Sequence, residues 1–474
     1  MAGDKVKKGF MSYVLVLLLT LIAAFFVIVV VMIFNPGLNI MGYKYFSHVK
    51  EYKIDEPIEN SQTKINLANA TDIVVDGNLI NFEIYRDNLV ENTTIEIVNY
   101  QTGFAKAEQS TDFSYNIDYS LKEDDRYLLN IQLENANGFL YFNNNCYVRI
   151  LIPASQVVNA TNSLMVSTEG GSISLGAGPA LETESQSYFQ FSNVSLNTKS
   201  GNVFIGKYLT CNFGNLSVNC GNGNFTCPYD ISLVEGGKFN ISGENANVEL
   251  KSILSESYED FDIFYNVSSG NFKVTEFIIG KLYLSTISST INIKYFIGEL
   301  SSNDLVNTMN GFNLAIDAIA GDISLPFANN SNITINDASL CNMYINSTNA
   351  NVTINKLSGN SWIETKQGNI NVGLYSSEID GDITLINDSG TTIVNGDEKM
   401  NNKLEVKSKT GNITLNYNPV SSFTVNFYKA NGEAKIDNIS AEGYESSLKN
   451  PLYINDGGTI MSLYTNGQIA LKIK

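Results

Sequence analysis

In the stretches TKSGNVFI (Thr198 to Ile205), TKQGNINV (Thr365 to Val372) and SKTGNITL (Ser408 to Leu415), apolar residues fall two apart behind a glycine: Val203 and Ile205, Ile370 and Val372, Ile413 and Leu415. Successive side chains of a strand point to opposite faces, so this alternation predicts short strands with one face inward. A weaker form of the unit, small residue–any–apolar–any–apolar, can be followed through Gly201, Gly223, Ala246, Gly270, Ser289, Asn310, Ser331, Ala350, Gly368, Gly390, Gly411 and Gly432, in steps of 18 to 24 residues. A sustained period near this length is the signature of a solenoid, whose units bury their apolar faces by stacking on one another. A second short strand fills the rest of the period in places, as in FIIGKLYL (Phe277 to Leu284) and GDITLI (Gly381 to Ile386). Each coil is therefore expected to hold two or three strands joined by tight turns, where glycine or asparagine takes positive φ at low cost.

Past the N-terminus no segment keeps apolar residues at i, i+3, i+4 and i+7 for three turns, which excludes a leucine-rich or ankyrin-type array. The fold class expected is all-β: a single-stranded β-solenoid of about 21-residue coils with a β-rich lead-in, after one N-terminal transmembrane helix. Stacking from Gly171 to Gly467 gives a rod of roughly 65 Å at about 4.8 Å per strand. The closing stretch TNGQIALKI (Thr465 to Ile473) reads as the last coil, with Lys472 and Lys474 as its polar finish. An uncapped end would expose a strand edge able to pair with a second copy, so end-to-end self-association is an expectation.

The apolar pattern divides the rest of the chain. Residues 1–9 carry Lys5, Lys7 and Lys8 and form a short tail, followed by an uncharged apolar run over 10–34. Its 25 residues can cross a bilayer of about 30 Å. A cleaved signal peptide competes with this reading, but its apolar core is usually about 7–15 residues and ends at a small-residue site, which Ile33-Phe34-Asn35-Pro36 does not supply. An uncleaved signal anchor is the reading favoured. Lysines before the span place the N-terminus in the cytoplasm and the C-terminal region extracellular or extracytoplasmic. Residues 35–55, with Pro36-Gly37 and several aromatics, read as a juxtamembrane spacer, 56–167 as a lead-in of longer strands without the repeat, and 168–474 as the solenoid. Within the lead-in, KEDDR (Lys122 to Arg126) is the densest charge cluster and reads as a solvated hairpin tip; its adjacent Asp residues lack the spaced ligands of a calcium loop.

Composition narrows the function. The net charge of −18, from 30 basic and 48 acidic residues, disfavours nucleic acid and bare anionic membrane as main partners. Only Arg86, Arg126 and Arg149 could supply bidentate phosphate contacts. The five cysteines, Cys146, Cys211, Cys220, Cys227 and Cys341, are too few for a disulfide scaffold; one local bridge among Cys211, Cys220 and Cys227 is an open alternative to small buried apolar roles. With no CxxC pair and His48 as the only histidine, neither zinc nor a Ser/His/Asp triad is expected, and no cofactor or metal is assigned. Sugar chemistry by paired carboxylates needs only two acids, and the candidates are Asp380 with Asp382 and the run Glu259, Asp260 and Asp262; each reads more simply as a solvated turn.

The chain holds 62 Asn, and Asn-x-Ser/Thr acceptor sites stand at Asn69, Asn92, Asn159, Asn193, Asn215, Asn224, Asn240, Asn266, Asn329, Asn332, Asn346, Asn351, Asn387, Asn412 and Asn438. Random placement would give about nine. In a eukaryotic source they are candidate N-glycosylation sites. Part of the excess follows from the kernel itself, because N-I-T-L sets Asn and Thr outward and Ile inward.

A β lead-in ending in YVRILIP, followed by STEGGSISL (Ser167 to Leu175) and then by G-N-[IV]-x-[ILV] coils, resembles the "putative adhesin" domain family of bacterial and some eukaryotic surface proteins. The resemblance covers roughly Ile54 to Lys474. It implies a β-solenoid with a strand–Pro segment before the first coil, and offers no catalytic motif to carry over. The combined expectation is a non-enzymatic, membrane-anchored surface protein that binds a glycan or protein ligand. A self-associating envelope scaffold or sensor is the alternative, and a carbohydrate-active enzyme a more distant one.

Overall fold

The structure, a computed structural model, describes residues 2–54, 64–134, 138, 140–176, 191–206, 211–255, 261–302, 309–375, 381–397, 403–432, 439–443 and 449–474. One helix, α1 (Ala2–Phe34), precedes a molecule made of strands, 30 of which join a single hydrogen-bonded sheet. This is the β-solenoid that the alternation calls for. In Ile383–Asn387, Leu404–Ser408 and Ile413–Tyr417 every second side chain is buried and those between are half-exposed. Parallel pairing without slippage turns equivalent positions into columns: Ile363 lies beside Leu385, Leu385 beside Val406, and Val406 beside Leu463. All four are buried, and a buried aliphatic of this size stabilises by about 1.5–3 kcal/mol. Stability is thus spread along the rod rather than held in one centre. In the middle the coils are three-sided and their strands run together around the corners, as in Asp262–Ser285, whose register with Ser288–Ser302 slips between Ile278 and Lys281.

The first residue of each kernel copy has a structural task that alternation does not reveal. Thr198 is buried at a corner; its Oγ1 donates to the Gly171 carbonyl at 2.8 Å and accepts from the Gly201 amide at 2.9 Å. Ser408 accepts from the Gly411 amide at 2.9 Å, and Thr365 accepts from the Ala350 amide at 3.2 Å and donates to the Gln367 carbonyl at 2.8 Å. The corner peptide is thereby satisfied where strand pairing cannot reach it. Glycine three residues on is dictated by close approach: a Cβ on Gly390 would lie 1.4 Å from the Gly368 carbonyl oxygen, and one on Gly411 1.9 Å from that of Gly390.

Two slots of the rhythm differ from the structure. Thr290 pairs with Asn313, so the position stacked on Ser289 is Phe312, two residues beyond Asn310. A Cβ on Gly432 would meet nothing within 4 Å among the described residues; the slot after Gly411 is Gly467, whose Cβ would meet the Gly411 carbonyl at 2.4 Å. The kernel is short enough to match by chance, and a shift of two residues keeps the same face of the strand inward, so Phe312, Leu314 and Ile316 are buried in either alignment.

Both ends of the rod are threaded out of sequence order. At the N-terminal end, β2 (Thr71–Gly77) and β3 (Asn81–Asp87) form a layer, and β8 (Ser163–Thr168) and β9 (Ile173–Leu175) stack on it in parallel. The intervening chain supplies β4 (Thr94–Lys106), β5 (Ser114–Leu121), β6 (Tyr127–Glu134) and β7 (Leu140–Pro153). Of these, β6 and β7 pair in parallel with the other edges of β2 and β3, making a further layer. The stack therefore takes in segments that the sequence rhythm leaves to the lead-in. Antiparallel strands close this end: β5 lies on β6, β4 on β7, and β1 (Tyr43–Ile54) on β4. At the C-terminal end, Thr459–Tyr464 lies between Leu404–Ser408 and Phe423–Tyr428, and Ile469–Ile473 between Ile413–Tyr417 and Ile439–Ala441. The stretch expected to be the last coil is inserted beneath an earlier one. Leu452–Ile454 then covers part of the outer edge of Phe423–Tyr428 in antiparallel fashion, over the part of the edge that end-to-end pairing would use.

KEDDR is the β5–β6 hairpin tip, with Asp125 at a positive φ of 60°. Its cations have a partner in the neighbouring layer. Arg126 Nη2 lies 2.5 Å from Asp72 Oδ1 and Lys122 Nζ 3.3 Å from Oδ2, while the Ser163 hydroxyl donates to Asp72 at 2.6 Å. Asp72 thus ties together three layers brought side by side by the threading. The Arg126 hydrogen bond, against the opposing effect of burial, lowers its pKa from the ordinary 3.8 to about 2. A lowered folded-state pKa contributes stability above the unfolded value that is lost as pH falls through the folded one. Thermal melts are therefore expected to weaken between about pH 4 and pH 2, and Asp72→Asn to flatten that part of the profile; an unchanged acid limb in the variant would refute the assignment.

Cys220 occupies the corner place of Thr198 one layer on, since Asn219 pairs with Asn197. Cys146, Cys220 and Cys341 are buried thiols and Cys227 is buried beside them in the core, with no bridge joining Cys220 to Cys227; the Cys211 side chain lies outside the described residues. Burial pushes Cys220 up to about 11 and Cys146 and Cys341 up to about 12, which keeps them protonated and inert.

Candidate functional site

The carboxylates weighed from the sequence do not assemble into a pair in the described residues. Asp382 is 69% exposed and lies 3.5 Å from Lys403 Nζ; Asp380, Glu259 and Asp260 lie outside the described residues, and Asp262 starts a strand that pairs with Lys238. His48 is on β1, with Nε2 against the Thr111 carbonyl.

The acceptor asparagines distribute by strand face. Asn193, Asn215, Asn224, Asn266, Asn332, Asn351 and Asn412 are exposed, Asn69, Asn92, Asn159, Asn240, Asn329 and Asn346 are half-buried, and Asn438 lies outside the described residues. Several of the exposed ones belong to amide ladders that run from coil to coil: Asn332 donates to Asn313 at 2.9 Å, Asn351 to Asn332 at 3.1 Å, and Asn369 to Asn351 at 3.2 Å. Each ladder rung uses one of the two amide hydrogens, which leaves the other for water or a glycan. Asn387 is different. It takes the corner place of Thr198 and Ser408, fully buried, with Oδ1 accepting from the Gly390 amide at 2.7 Å and Nδ2 donating to the Gly368 carbonyl at 3.0 Å. Its side chain is enclosed, so the acceptor expected there has no room for a sugar in the folded chain.

A cleft of about 710 Å³ opens on the last layers of the rod, lined among others by Asp388, Glu405, Lys407, Lys409, Tyr464 and Asn466, with the turn Ala430 to Gly432 as one wall. Threading builds it. Phe423–Tyr428 and Thr459–Tyr464 run side by side, which sets Tyr428 against Tyr464 with ring centroids 4.5 Å apart and planes 14° from parallel. Lys407, in the next strand, lies 2.9 Å from Glu405 Oε2 and 5.8 Å from the Tyr464 ring centre. The wall is braced by the Ala430 amide donating to Asn466 Oδ1 at 3.3 Å and the Gly432 amide donating to the Lys429 carbonyl at 2.8 Å. Partial burial, followed by the nearby Glu405 charge, raises the Tyr464 pKa, so the phenol stays neutral and able to donate. Phenol, carboxylate, ammonium and amide groups together suit a hydroxyl-rich ligand that hydrogen-bonds at its edges.

Sequence reasoning named no binding residue. Tyr428 and Tyr464 are 36 positions apart, and nothing in the period says that their strands are neighbours. A second cleft, of about 670 Å³, lies near the other end around Asp72, Arg126, Met165, Asn193 and Asn215; there the Arg126 charge is already taken up by Asp72.

Residues 231–446 match the family described as Toastrack DUF4097, a span of just under half of the chain. No curated protein matches the sequence. Among solved structures, the crystal structure of a "putative cell adhesion protein" from Clostridium sporogenes is similar at 10% identity, covering 90% of this chain and 100% of that one with a TM-score of 0.16.

Proposed function

We propose that this chain is a membrane-anchored rod, displayed on the outer side of a membrane, that binds a glycan-like ligand without transforming it. The observation that carries the reading is the position of the cleft lined by Tyr464. It lies in the last layers of the stack, while α1 touches β1 at the opposite end. Ser12–Phe34 of that helix is long and apolar enough to cross a bilayer. The rod is roughly 70 Å long at about 4.8 Å per layer, so an anchored molecule would hold the cleft well clear of the lipid. The likeness to the Toastrack family supports the repeat β architecture, which presents side chains in flat, regular rows. The cleft's Lys407 and Glu405 neutralise each other and Tyr464 stays protonated, an arrangement for hydrogen bonding rather than for a nucleophile.

A glycan array probed with the detergent-solubilised chain tests this. Wild type is expected to give defined signals that Tyr464→Ala weakens by about 2 kcal/mol, roughly thirty-fold, as for a central aromatic anchor. Tyr295→Ala, on a different side of the coil, should leave them unchanged. Equal signals from wild type and Tyr464→Ala would remove the cleft from the reading.

A further inference from the structure

The segment after α1 is not a flexible spacer. Its chain turns through residues 35–42 straight into β1, which pairs with β4 without interruption from Tyr43 opposite Lys106 to Ile54 opposite Ile95. The turn is tied to the sheet by the Gly37 amide donating to the Tyr45 carbonyl at 3.1 Å and the Ala107 amide donating to the Gly42 carbonyl at 2.8 Å. Met32, in the last helical turn, is covered by protein. Helix and sheet therefore meet at a braced joint.

Around that joint the sheet end is apolar and outward-facing. Tyr45, Phe104 and Phe142 form a cluster with ring centroids 5.4 to 6.5 Å apart, brought together because Tyr45 pairs with Phe104 and Phe104 with Leu140. Phe142 is 55% exposed and Met41, at the turn, 85%; Leu38, Tyr43 and Leu140 are exposed beside them. Lys44 and Lys106 flank the same strand ends. Such a collar has no reason to face water. It is continuous in chain and in space with Phe34, the exposed last residue of the apolar helix, and a ring of aromatics edged by lysines is the composition that settles at the level of lipid headgroups.

We infer that this end of the β1–β4–β7 sheet seats in the interfacial layer of the bilayer that α1 crosses, giving the rod a second membrane contact that sets its tilt. The inference rests on the anchor reading above, and its occupant is a lipid surface. With one helix alone, helix and rod would tilt together in the bilayer; with the collar seated, the rod is held at a fixed angle and the distal cleft sweeps a restricted volume.

The test uses the full chain reconstituted in phosphatidylcholine vesicles with brominated acyl chains. The chain has one tryptophan, Trp362, on the rod. In a Trp362→Phe background, Phe142→Trp is the collar reporter and Phe25→Trp the helix reporter. Phe142→Trp is expected to emit blue-shifted and to be quenched most by bromines near the glycerol level, with Phe25→Trp quenched most by bromines near the chain ends. A quenched helix reporter with an unquenched, water-like collar reporter would overturn the seating and leave the anchor standing. A blue-shifted collar reporter that no bromolipid quenches would place a second copy of the chain on the patch instead. If neither reporter is quenched, anchor and seating fall together.

Discussion

Leu415→Asp is expected to unfold the last layers of the rod while its neighbour Thr414→Asp is tolerated. Leu415 is fully buried in an apolar column, with Val394 on one side and Leu471 on the other. Aspartate there forfeits about 2 kcal/mol of burial and places a carboxyl where no donor reaches it, a further penalty of several kcal/mol even if it takes up a proton. A loss near 5 kcal/mol exceeds what one layer contributes, so melting should spread to the adjoining layers. Thr414 alternates outward in the same strand, and a charge there should change stability by about 0.5 kcal/mol or less. Hydrogen exchange reads both: amides of 404–417 and 459–473 should lose protection in Leu415→Asp and keep it in Thr414→Asp. Equal behaviour of the two variants would overturn the inward assignment.

Ending the chain at residue 450 should cost far more than one coil. In a solenoid stacked in sequence order, removing the last coil leaves every earlier interface intact. Here Thr459–Tyr464 and Ile469–Ile473 stand between two layers, so their removal strips Leu404–Ser408 and Ile413–Tyr417 of their neighbours on one edge and leaves Phe423–Tyr428 with nothing beneath it. Hydrogen exchange at 423–428 is expected to approach that of an unfolded chain, and the cleft to disappear with Tyr464, while protection at 361–374, several layers away, stays as in the full chain. Retained protection at 423–428 would show that the threading is dispensable.

Much of the candidate site follows from this threading and was hidden for the same reason. Lys407 and Glu405 were legible as outward residues of one strand, and Tyr464 as the end of another. That Tyr464 stands between Lys407 and Tyr428 depends on which strand lies beside which. Asn387 shows the reverse case. As a motif it reads as a glycan acceptor, but the corner geometry makes it a substitute for Thr198 and Ser408, with both ends of its amide spent on backbone.

The amino-acid sequence alone determined the β-solenoid, the inward columns and the glycines at close approaches, because each depends on contacts repeated within one coil or between any two similar coils, and the apolar N-terminal helix, because its hydrogen bonds are local and its apolar run is continuous. Tertiary structure decided the order of the layers at both ends, the place of Phe312 rather than Asn310 in its slot, and the cleft. A coil with a generic apolar face stacks nearly as well on one neighbour as on another, so the choice is made by what finishes the rod: antiparallel covers on β6, β7 and Phe423–Tyr428, and the Asp72 link across three layers. Apart from the β5–β6 hairpin, those contacts join residues tens of positions apart, and none of them leaves a period in the chain.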